Sequence, residues 1–424
     1  MNISDSERVA SVLESIRYKK TPNINEADLV VVTMCSIRQS AVDRVHGLVQ
    51  KFKAVKKLNP ELKTILTGCI LKRDRKIFVK GFNYVLDIKD IKKLPEILKT
   101  KVCQKWSDRS ISGTTNYINY LDITPKYSSK FSANVPIMTG CNNFCAYCVV
   151  PYVRGREISR PVKDIIKEVK TAIKNGAKEI WLLGQNVNSF VADGKKSKKP
   201  GRHFADLLKQ INKIDGDFWI KFTSSHPKDF SEDIIKAIKT SKKVAKYLNL
   251  PIQAGDDAIL KKMNRPYTTE QYKKIIGKVR KIMPDIALST DIIVGFPGET
   301  KKHFENSLNL FKEVKFDMAY LNKYSERHGT AAAKMKDNVS KKGKDKREKE
   351  LNEVLKETAF QKNKKHIGEK EKVLVLEKKK DFYMGVTEGN KTIKIIGANC
   401  PIGDFVIVKI TNALPWGLEG TTNF

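Results

Sequence analysis

The sequence predicts a protein of the α/β class with three domains, and three observations lead to that prediction. The first hundred residues alternate between helical and strand patterns, as an N-terminal parallel α/β domain requires. Between residues 131 and 362 the alternation repeats, which predicts a (β/α)6-type partial barrel. From residue 363 to 424, short alternating strands separated by turn residues predict a small C-terminal β-barrel.

The N-terminal domain, residues 1–103, begins with an alternation of helix and strand. Ser4–Glu7 ("SDSE") indicates a capping box that opens a helix reaching about Arg17. The apolar run "ADLVVVTMCS" predicts a buried strand, residues 38–57 predict a basic amphipathic helix, and "KTILTGC" predicts a second strand ending at Cys69. A strand–helix–strand unit implies that the two strands are parallel and adjacent.

Two cysteines lie at equivalent positions of these two strands. Cys35 and Cys69 both follow the carboxyl end of a strand, and open α/β sheets place their ligands at that edge. Either cysteine alone fits a buried core residue. The repeated position favours a shared function.

A polar segment rich in Gly, Ser and Thr, residues 104–130, predicts a linker to the barrel. The barrel strands are predicted at 133–138, 179–183, 218–223, 246–250, 287–294 and 316–322. Helical patterns fill the gaps, as in "TEQYKKIIGKVRKIMP", which ends at a proline. In such barrels the chemistry lies at the carboxyl ends of the strands.

The charge balance favours a polyanionic partner. The 424 residues include 81 Lys and Arg against 47 Asp and Glu, a formal net charge of +34. RNA is the natural partner for such a charge, and small C-terminal β-barrels often bind oligonucleotides. Abundant lysine is the alternative explanation of the charge, and a structural cap is the alternative role of the barrel. Residues 334–372 mix both signs and predict a solvated helix face.

No run of about 18 uncharged apolar residues occurs, so no membrane span is predicted. The first residues lack the layout of a signal peptide. We therefore expect a cytoplasmic monomer with reduced thiols, in which clustered cysteines bind metal or react.

Three cysteines follow the first barrel strand in the spacing C-x3-C-x2-C, at Cys141, Cys145 and Cys148. A structural zinc site needs four ligands, and Cys103 and Cys400 are isolated in the sequence. A [4Fe–4S] cluster usually takes four thiolates, so a cluster held by three keeps one iron open. S-adenosylmethionine can chelate that iron and be cleaved on reduction.

Five segments of the sequence resemble the radical-SAM methylthiotransferases. The signature is "GCNNFCAYCVVPYVRGREISRP", and further matches are "LLGQNVNSF", "SSHPKDF", "YLNLPIQAGDDAILKKMNRPYT" and "STDIIVGFPGET". The resemblance covers nearly the whole chain and implies a methylthiotransferase domain, a radical-SAM barrel and a TRAM domain. "GQNVN" and "VVPYVRG" resemble the branch that modifies isopentenylated adenosine in tRNA.

The resemblance implies a set of site residues. Cys141, Cys145 and Cys148 would bind the catalytic [4Fe–4S] cluster, and Cys35 and Cys69 match two of three ligands of an auxiliary one. The residues implied to bind S-adenosylmethionine are Tyr147, Gly184, Gln185, Asn186, Gly295, Gly298 and Glu299. For Tyr147 a plain core role is the alternative. Three further residues at strand ends fit either catalytic or structural roles: His226, Gln253 and Asp291.

The third auxiliary ligand normally lies in a Gly-Cys-Gln just before a Met-Asn pair, and this sequence begins with Met1 and Asn2. We expect a miscalled start. Genuine loss is the alternative, and a half-competent homologue would then cleave S-adenosylmethionine without inserting sulfur. Cys103 is a candidate substitute ligand.

The implied reaction is a methylthio transfer. One S-adenosylmethionine supplies a methyl group to sulfur, and a second yields a 5′-deoxyadenosyl radical that abstracts hydrogen from carbon 2 of N6-isopentenyl (dimethylallyl) adenosine, 3′ to the anticodon. The implied partners are the tRNA anticodon arm, an electron donor such as flavodoxin or ferredoxin, and a sulfur source, with no membrane.

Three alternatives remain open from the sequence. The first is a methylthiotransferase acting on N6-threonylcarbamoyladenosine in tRNA. The second is an RNA-binding protein with a structural or degenerate cluster. The third is a zinc-stabilised interaction module.

Overall fold

The computed structural model describes residues 1–37, 39–99, 119–194, 200–397 and 400–423. Cys103 and residues 104–118 of the predicted linker lie outside the described residues. The chain forms two compact units. The first comprises Met1–Ser128, Met138–Arg160 and Ser325–Ala333, and the second comprises Ser129–Ile137, Pro161–Tyr324 and Lys334–Phe424.

The strands of the described residues, in chain order, are β1 (Leu29–Cys35), β2 (Lys63–Cys69), β3 (Tyr84–Val85), β4 (Ser132–Pro136), β5 (Met138–Thr139), β6 (Ile158–Ser159), β7 (Glu179–Leu183), β8 (Trp219–Phe222), β9 (Tyr247–Asn249), β10 (Ala287–Val294), β11 (Met318–Lys323), β12 (Lys370–Lys378), β13 (Tyr383–Thr387), β14 (Thr392–Ile396), β15 (Phe405–Leu414) and β16 (Gly417–Thr421).

The α-helices are α1 (Asn2–Ser15), α2 (Gln39–Leu58), α3 (Lys72–Phe78), α4 (Leu94–Lys99), α5 (Val150–Arg154), α6 (Val162–Lys174), α7 (Arg202–Asn212), α8 (Glu232–Thr240), α9 (Asp257–Lys262), α10 (Thr269–Ile282), α11 (Lys301–Val314) and α12 (Lys341–Lys364).

The first unit is built on a parallel sheet of order β1-β2-β3. Successive residues of a strand face opposite sides, so Ile65 of β2 packs in a core with Val9 of α1, while Leu66 packs with Val42 and Phe52 of α2. The sheet therefore has a helix on each face. The predicted strand–helix–strand unit is confirmed.

The predicted capping box at Ser4–Glu7 is wrong. The helix α1 begins at Asn2, so Ser4 lies within it, and the hydroxyl of Ser4 accepts a hydrogen bond from Arg8. The carboxylate of Glu7 accepts hydrogen bonds from the backbone N–H (2.9 Å) and hydroxyl (2.7 Å) of Ser128. Ser4 thus bonds to its own helix and Glu7 to a residue distant in the sequence, and neither caps the start of α1.

The second unit contains two parallel sheets, of orders β4-β7-β8 and β9-β10-β11. A parallel bridge between Ile220 and Val244 joins β8 to the segment that leads into β9. The strands thus follow one another in chain order with helices between them, which confirms the predicted partial barrel. The first predicted strand, 133–138, is divided between β4 and β5.

A closed barrel of order β12-β13-β14-β16-β15 completes the second unit. Its interior is apolar, with Val373, Ile393, Ile395, Val408 and Leu418 nearly inaccessible to solvent. The predicted small C-terminal β-barrel is confirmed. The helix α12 precedes it and covers most of the mixed-charge segment.

The turn between β13 and β14 ties this barrel to the (β/α) strands. Lys391 donates to Asp317 (2.8 Å), which also accepts from Lys362 of α12 (2.6 Å). Beside it, the carbonyl oxygen of the Asn390 side chain accepts from Lys221 of β8 (3.0 Å). Burial raises the pKa of Asp317, but the two lysines outweigh it and hold that pKa below its ordinary value.

No helix within the described part of the chain is long and apolar enough to cross a membrane.

Replacing Asp317 with Asn should destabilise the second unit by about 3 kcal/mol, because it leaves two half-buried or buried ammonium groups without their carboxylate. Urea unfolding followed by circular dichroism measures the change. The matched control is Asp345→Asn, which removes an exposed carboxylate paired with Lys323 and should leave the unfolding midpoint unchanged. Equal midpoints for the two variants would contradict the role of Asp317.

Candidate functional site

Cys141, Cys145 and Cys148 lie on one loop of the first unit, between β5 and α5. Antiparallel pairing of β5 with β6 closes the base of the loop. Gly140 has a φ of 77°, and a Cβ there would overlap the carbonyl oxygen of Arg156, so the close approach requires glycine. Backbone hydrogen bonds from Cys141 N to Gly155 O (3.2 Å) and from Cys148 N to Cys145 O (2.9 Å) fix the loop further.

None of the cysteines within the described ranges forms a disulfide. Cys141 is buried, whereas Cys145 and Cys148 are partly exposed. The backbone N–H of Val150 donates to the sulfur of Cys148 at 3.5 Å. Tyr147 is half-buried on the same loop.

No three His, Cys, Asp or Glu side chains converge on a single-ion site in the part of the chain that the structure describes. Cys141, Cys145 and Cys148 lie within eight residues of one loop. A [4Fe–4S] cluster takes each thiolate on a different iron, and three cysteines on one short loop fit that group.

Cys35 and Cys69 are direct partners in the parallel register of β1 and β2, which places their Cα atoms on adjacent strands about 5 Å apart. The predicted placement of both cysteines at one sheet edge is confirmed. These two side chains fit an iron–sulfur group as two of its ligands.

A buried arginine contacts Cys69. Arg154 of α5 donates its Nε–H to the Cys69 sulfur (3.0 Å), and its terminal nitrogens reach Asp5 Oδ2 (2.6 Å) and Tyr120 Oη (3.3 Å). Burial raises the pKa of the Cys69 thiol to about 11, although Arg154 acts in the opposite direction. Arg154 lies in the segment "VVPYVRG", six residues after Cys148, but the sequence alone gives it no role.

In the second unit, polar side chains follow β7 and β8 at their carboxyl ends. Gly184, Gln185 and Asn186 come directly after β7. Among the described residues, several buried polar atoms here have no hydrogen-bond partner: Gln185 Oε1, Asn186 Oδ1, Asn188 Nδ2 and Oδ1, Ser225 Oγ and His226 Nε2. Asn186 Nδ2 donates to Asp229 Oδ2 (2.7 Å).

Buried polar atoms are nearly always hydrogen-bonded, so a group of unsatisfied ones indicates a ligand or ordered water. Donors and acceptors occur together in this group, since Asn188 contributes both. Such a lining fits the amino and carboxylate groups of a zwitterionic ligand. The residues after β7 therefore fit the amino-acid end of S-adenosylmethionine.

His226 is neutral in this environment. Its burial, with Arg265 and Lys228 nearby, lowers its pKa to about 2. Nδ1 accepts the backbone N–H of Lys228 at 3.3 Å, so the network assigns the ring proton to Nε2. The unsatisfied Nε2–H is thus a hydrogen-bond donor.

The loop after β10 contains Gly295, Gly298 and Glu299. The two glycines have φ values of 69° and 83°. Glu299 Oε2 accepts from the backbone N–H groups of Gly295 and Phe296 and from Arg347 Nη1 (3.2 Å). Burial raises the pKa of Glu299, against the opposing effect of Arg347. Through these hydrogen bonds, the Glu299 carboxylate stabilises the conformation of its own loop.

Two further predicted residues lie together. Gln253, which follows β9, donates its backbone N–H to Asp291 O (2.9 Å) and accepts from Ile293 N (2.9 Å). Its φ of 74° is unfavourable for a non-glycine residue. Asp291 Oδ2 accepts from Asn249 Nδ2 at 3.2 Å. Strain of this kind concentrates at functional sites.

The chain is similar to known proteins over nearly its whole length. Residues 135–311 match the Radical SAM superfamily, and residues 1–87 match the uncharacterized protein family UPF0004. Among solved structures, the radical S-adenosylmethionine methyltransferase TsrM from Kitasatospora setae is similar, with a TM-score of 0.52 and 12% identity, covering 76% of this chain and 70% of that one. The cobalamin-dependent S-adenosylmethionine radical enzyme OxsB gives a TM-score of 0.53 and 13% identity, covering 84% and 53% of the two chains. These two likenesses concern the fold alone.

Relatives with a curated name are much closer in sequence. The tRNA-2-methylthio-N(6)-dimethylallyladenosine synthase of Acetivibrio thermocellus is 40% identical, covering 99% of this chain and 88% of that protein. The protein of the same name from Clostridium botulinum is 42% identical, covering 99% and 94%, and that from Clostridium tetani is 39% identical, covering 99% and 93%.

The fold and the matched superfamily define a radical SAM enzyme, a class that uses a [4Fe–4S] cluster and S-adenosylmethionine. Near-full-length identity of about 40% specifies the protein further. The chain belongs to the family of tRNA-2-methylthio-N(6)-dimethylallyladenosine synthases.

The depressed pKa of His226 predicts a pH dependence of stability. The unfolded chain binds a proton near pH 6.5 that the folded chain does not bind until about pH 2. The contribution of His226 is therefore complete above pH 6.5 and is lost as the pH falls, by up to about 1.4 kcal/mol per pH unit. Urea unfolding between pH 6.5 and 4.5 should show a shallower slope for His226→Asn than for the wild type. Identical slopes would contradict the assignment of a neutral buried ring.

Proposed function

We propose that this protein is a transferase that modifies tRNA. It replaces the hydrogen on carbon 2 of N6-dimethylallyladenosine, 3′ to the anticodon, with a methylthio group, and uses S-adenosylmethionine. The near-full-length identity to synthases named for this product supports the substrate. The observation that carries the chemistry is the placement of Cys141, Cys145 and Cys148 together on one short loop.

These three cysteines would hold a [4Fe–4S] cluster with one iron open to S-adenosylmethionine. When bound, the cluster supplies the electron that cleaves a carbon–sulfur bond of S-adenosylmethionine. The protein fixes the loop through the β5–β6 pair and Gly140, and the burial of Cys141 limits access of water. Tyr147, on the same loop, would pack beside the adenine ring.

The unsatisfied polar atoms of Gln185, Asn186 and Asn188 would bind the amino-acid end of S-adenosylmethionine. Gly184, which directly follows β7, would border the same end of the cofactor. The loop of Gly295 and Gly298, held by Glu299, would border the cofactor. His226 Nε2–H, Gln253 and Asp291 are proposed to contact substrate or cofactor at the other strand ends.

A second [4Fe–4S] cluster would take Cys35 and Cys69 as ligands and would serve the sulfur transfer. The paired register of these residues supports this role. A low-potential one-electron donor such as flavodoxin or ferredoxin, and a sulfur source, are further proposed partners.

The substrate would be held mainly by charge. The net charge of +34 favours phosphate contacts along the anticodon arm. On the C-terminal barrel, Ile407 and Lys409 lie on one face of β15, and the nearby Trp416 is exposed, a mixture that suits unstacked bases. Chemistry on carbon 2 requires the target base to leave its stack.

The decisive experiment uses the anaerobically reconstituted full chain with reductant, S-adenosylmethionine and tRNA. We expect 2-methylthio product from tRNA bearing N6-dimethylallyladenosine and none from tRNA bearing N6-threonylcarbamoyladenosine. Cys148→Ala should abolish S-adenosylmethionine cleavage, since the cluster then loses a ligand. Cys400→Ala, in the core of the C-terminal barrel, is the matched control and should retain cleavage.

Product from the threonylcarbamoyl substrate alone would contradict the proposed substrate. Zinc without iron, or intact S-adenosylmethionine in the reduced wild type, would contradict the proposed chemistry.

Gln185→Ala should weaken the binding of S-adenosylmethionine about tenfold, because it removes one hydrogen-bond partner of a charged group. Equilibrium dialysis against the reconstituted protein measures the dissociation constant. Gln210→Ala, on the exposed side of α7, is the matched control and should bind as the wild type does. If both variants bind equally well, Gln185 does not contact the cofactor.

A further inference from the structure

Arg154 makes contacts that packing alone does not require. It ends the helix α5, six residues after Cys148, and its guanidinium is buried. Its four partners come from three segments of the first unit: Asn2 Oδ1 (3.2 Å) and Asp5 Oδ2 (2.6 Å) of α1, Cys69 Sγ (3.0 Å) of β2, and Tyr120 Oη (3.3 Å). A buried cation is costly unless it is hydrogen-bonded, and here each of the three guanidinium nitrogens has a partner.

The helix α5 has an apolar attachment of its own. Val149 and Val153 pack with Cys69 and Leu71 in one cluster. The ion pair with Asp5 balances the charge of Arg154 within the protein. Neither contact needs an N–H aimed at sulfur, so the bond from Nε to Cys69 calls for a separate explanation.

Hydrogen bonds to ligating sulfurs are one of the ways in which a protein sets the reduction potential of an iron–sulfur cluster. A donor on the thiolate favours the reduced, more negative state. Groups that orient metal ligands also contribute to metal affinity. Arg154 is placed to do both at Cys69, and it stands on the segment that carries the other three thiols.

We propose that Arg154 is a positioning residue of the auxiliary iron–sulfur site. It fixes the sulfur of Cys69, raises the reduction potential of the group bound there, and links the Cys141–Cys148 segment to β2. The inference rests on the proposed function, because it takes Cys69 as an iron ligand.

The test uses the full chain with Cys141, Cys145 and Cys148 all replaced by Ala, so that bound iron reports on Cys35 and Cys69. Arg154→Gln is then introduced together with Asp5→Asn, because the single change would leave a buried carboxylate unpaired. Asp5→Asn alone serves as the reference. Anaerobic reconstitution is followed by iron and sulfide analysis, chelator challenge, and a redox titration monitored by electron paramagnetic resonance.

We expect the Arg154 variant to show a lower midpoint potential than the reference. The chelator concentration that removes half of the iron should fall about tenfold. Arg154→Lys, which keeps the positive charge with Asp5 intact, should recover part of both effects. If the double variant does not fold, the potential and chelator resistance of Arg154→Lys are compared with those of the protein that retains Arg154.

Arg8→Gln is the matched control, since it removes another buried guanidinium of the first unit, one that contacts Ser4 and the carbonyl of Leu121. It should leave the potential and the chelator resistance unchanged. Equal potentials with and without Arg154 would overturn this inference and leave the proposed function standing. Absence of iron from the triple-cysteine variant would overturn the auxiliary site itself, and the role of Arg154 with it.

Discussion

The register of parallel strands determines where many of the candidate functional groups of this protein lie. Parallel strands joined by helices end at a common edge. In the first unit this brings Cys35 and Cys69 into direct partnership. In the second it gathers the residues after β7, β8, β9 and β10 at their carboxyl ends. Backbones at this edge are tightly bent, as the positive φ values of Ser224 and Gln253 show.

Buried ion pairs occur in both units. Arg154 pairs with Asp5, Arg347 with Glu299, and Lys391 with Asp317. The unmatched neutral groups concentrate after β7 and β8. An unsatisfied buried group costs about 1–3 kcal/mol, and a partner from outside the chain, such as the proposed cofactor, would remove that cost.

The sequence predicted the elements well wherever local pattern and burial agree. The apolar runs of β1 and β2 are long enough to read as strands, and the spacing of Cys141, Cys145 and Cys148 is visible without a fold. The prediction was wrong where the partner of a side chain is not visible in the local pattern. Ser4 and Glu7 carry a local helix-start pattern, but Arg8 and Ser128 take their hydrogen bonds. Arg154 looks like any helical arginine until the fold places it on Cys69. Glu299 looks like a ligand contact, yet its loop amides and Arg347 occupy one of its oxygens.

The turn that carries Asn390 and Lys391 has a consequence for how the protein would choose among RNAs. The hydrogen bonds of this turn to β8 and to the residue before β11 attach the C-terminal barrel to the other strands of the second unit and, in this structure, set its separation from the strand ends. Under the proposed function, a substrate gripped by the barrel presents its target base only if the span from grip to base matches that separation. The protein would then select RNAs by the length of the stem. A stem of the wrong length would be rejected without any base-specific contact.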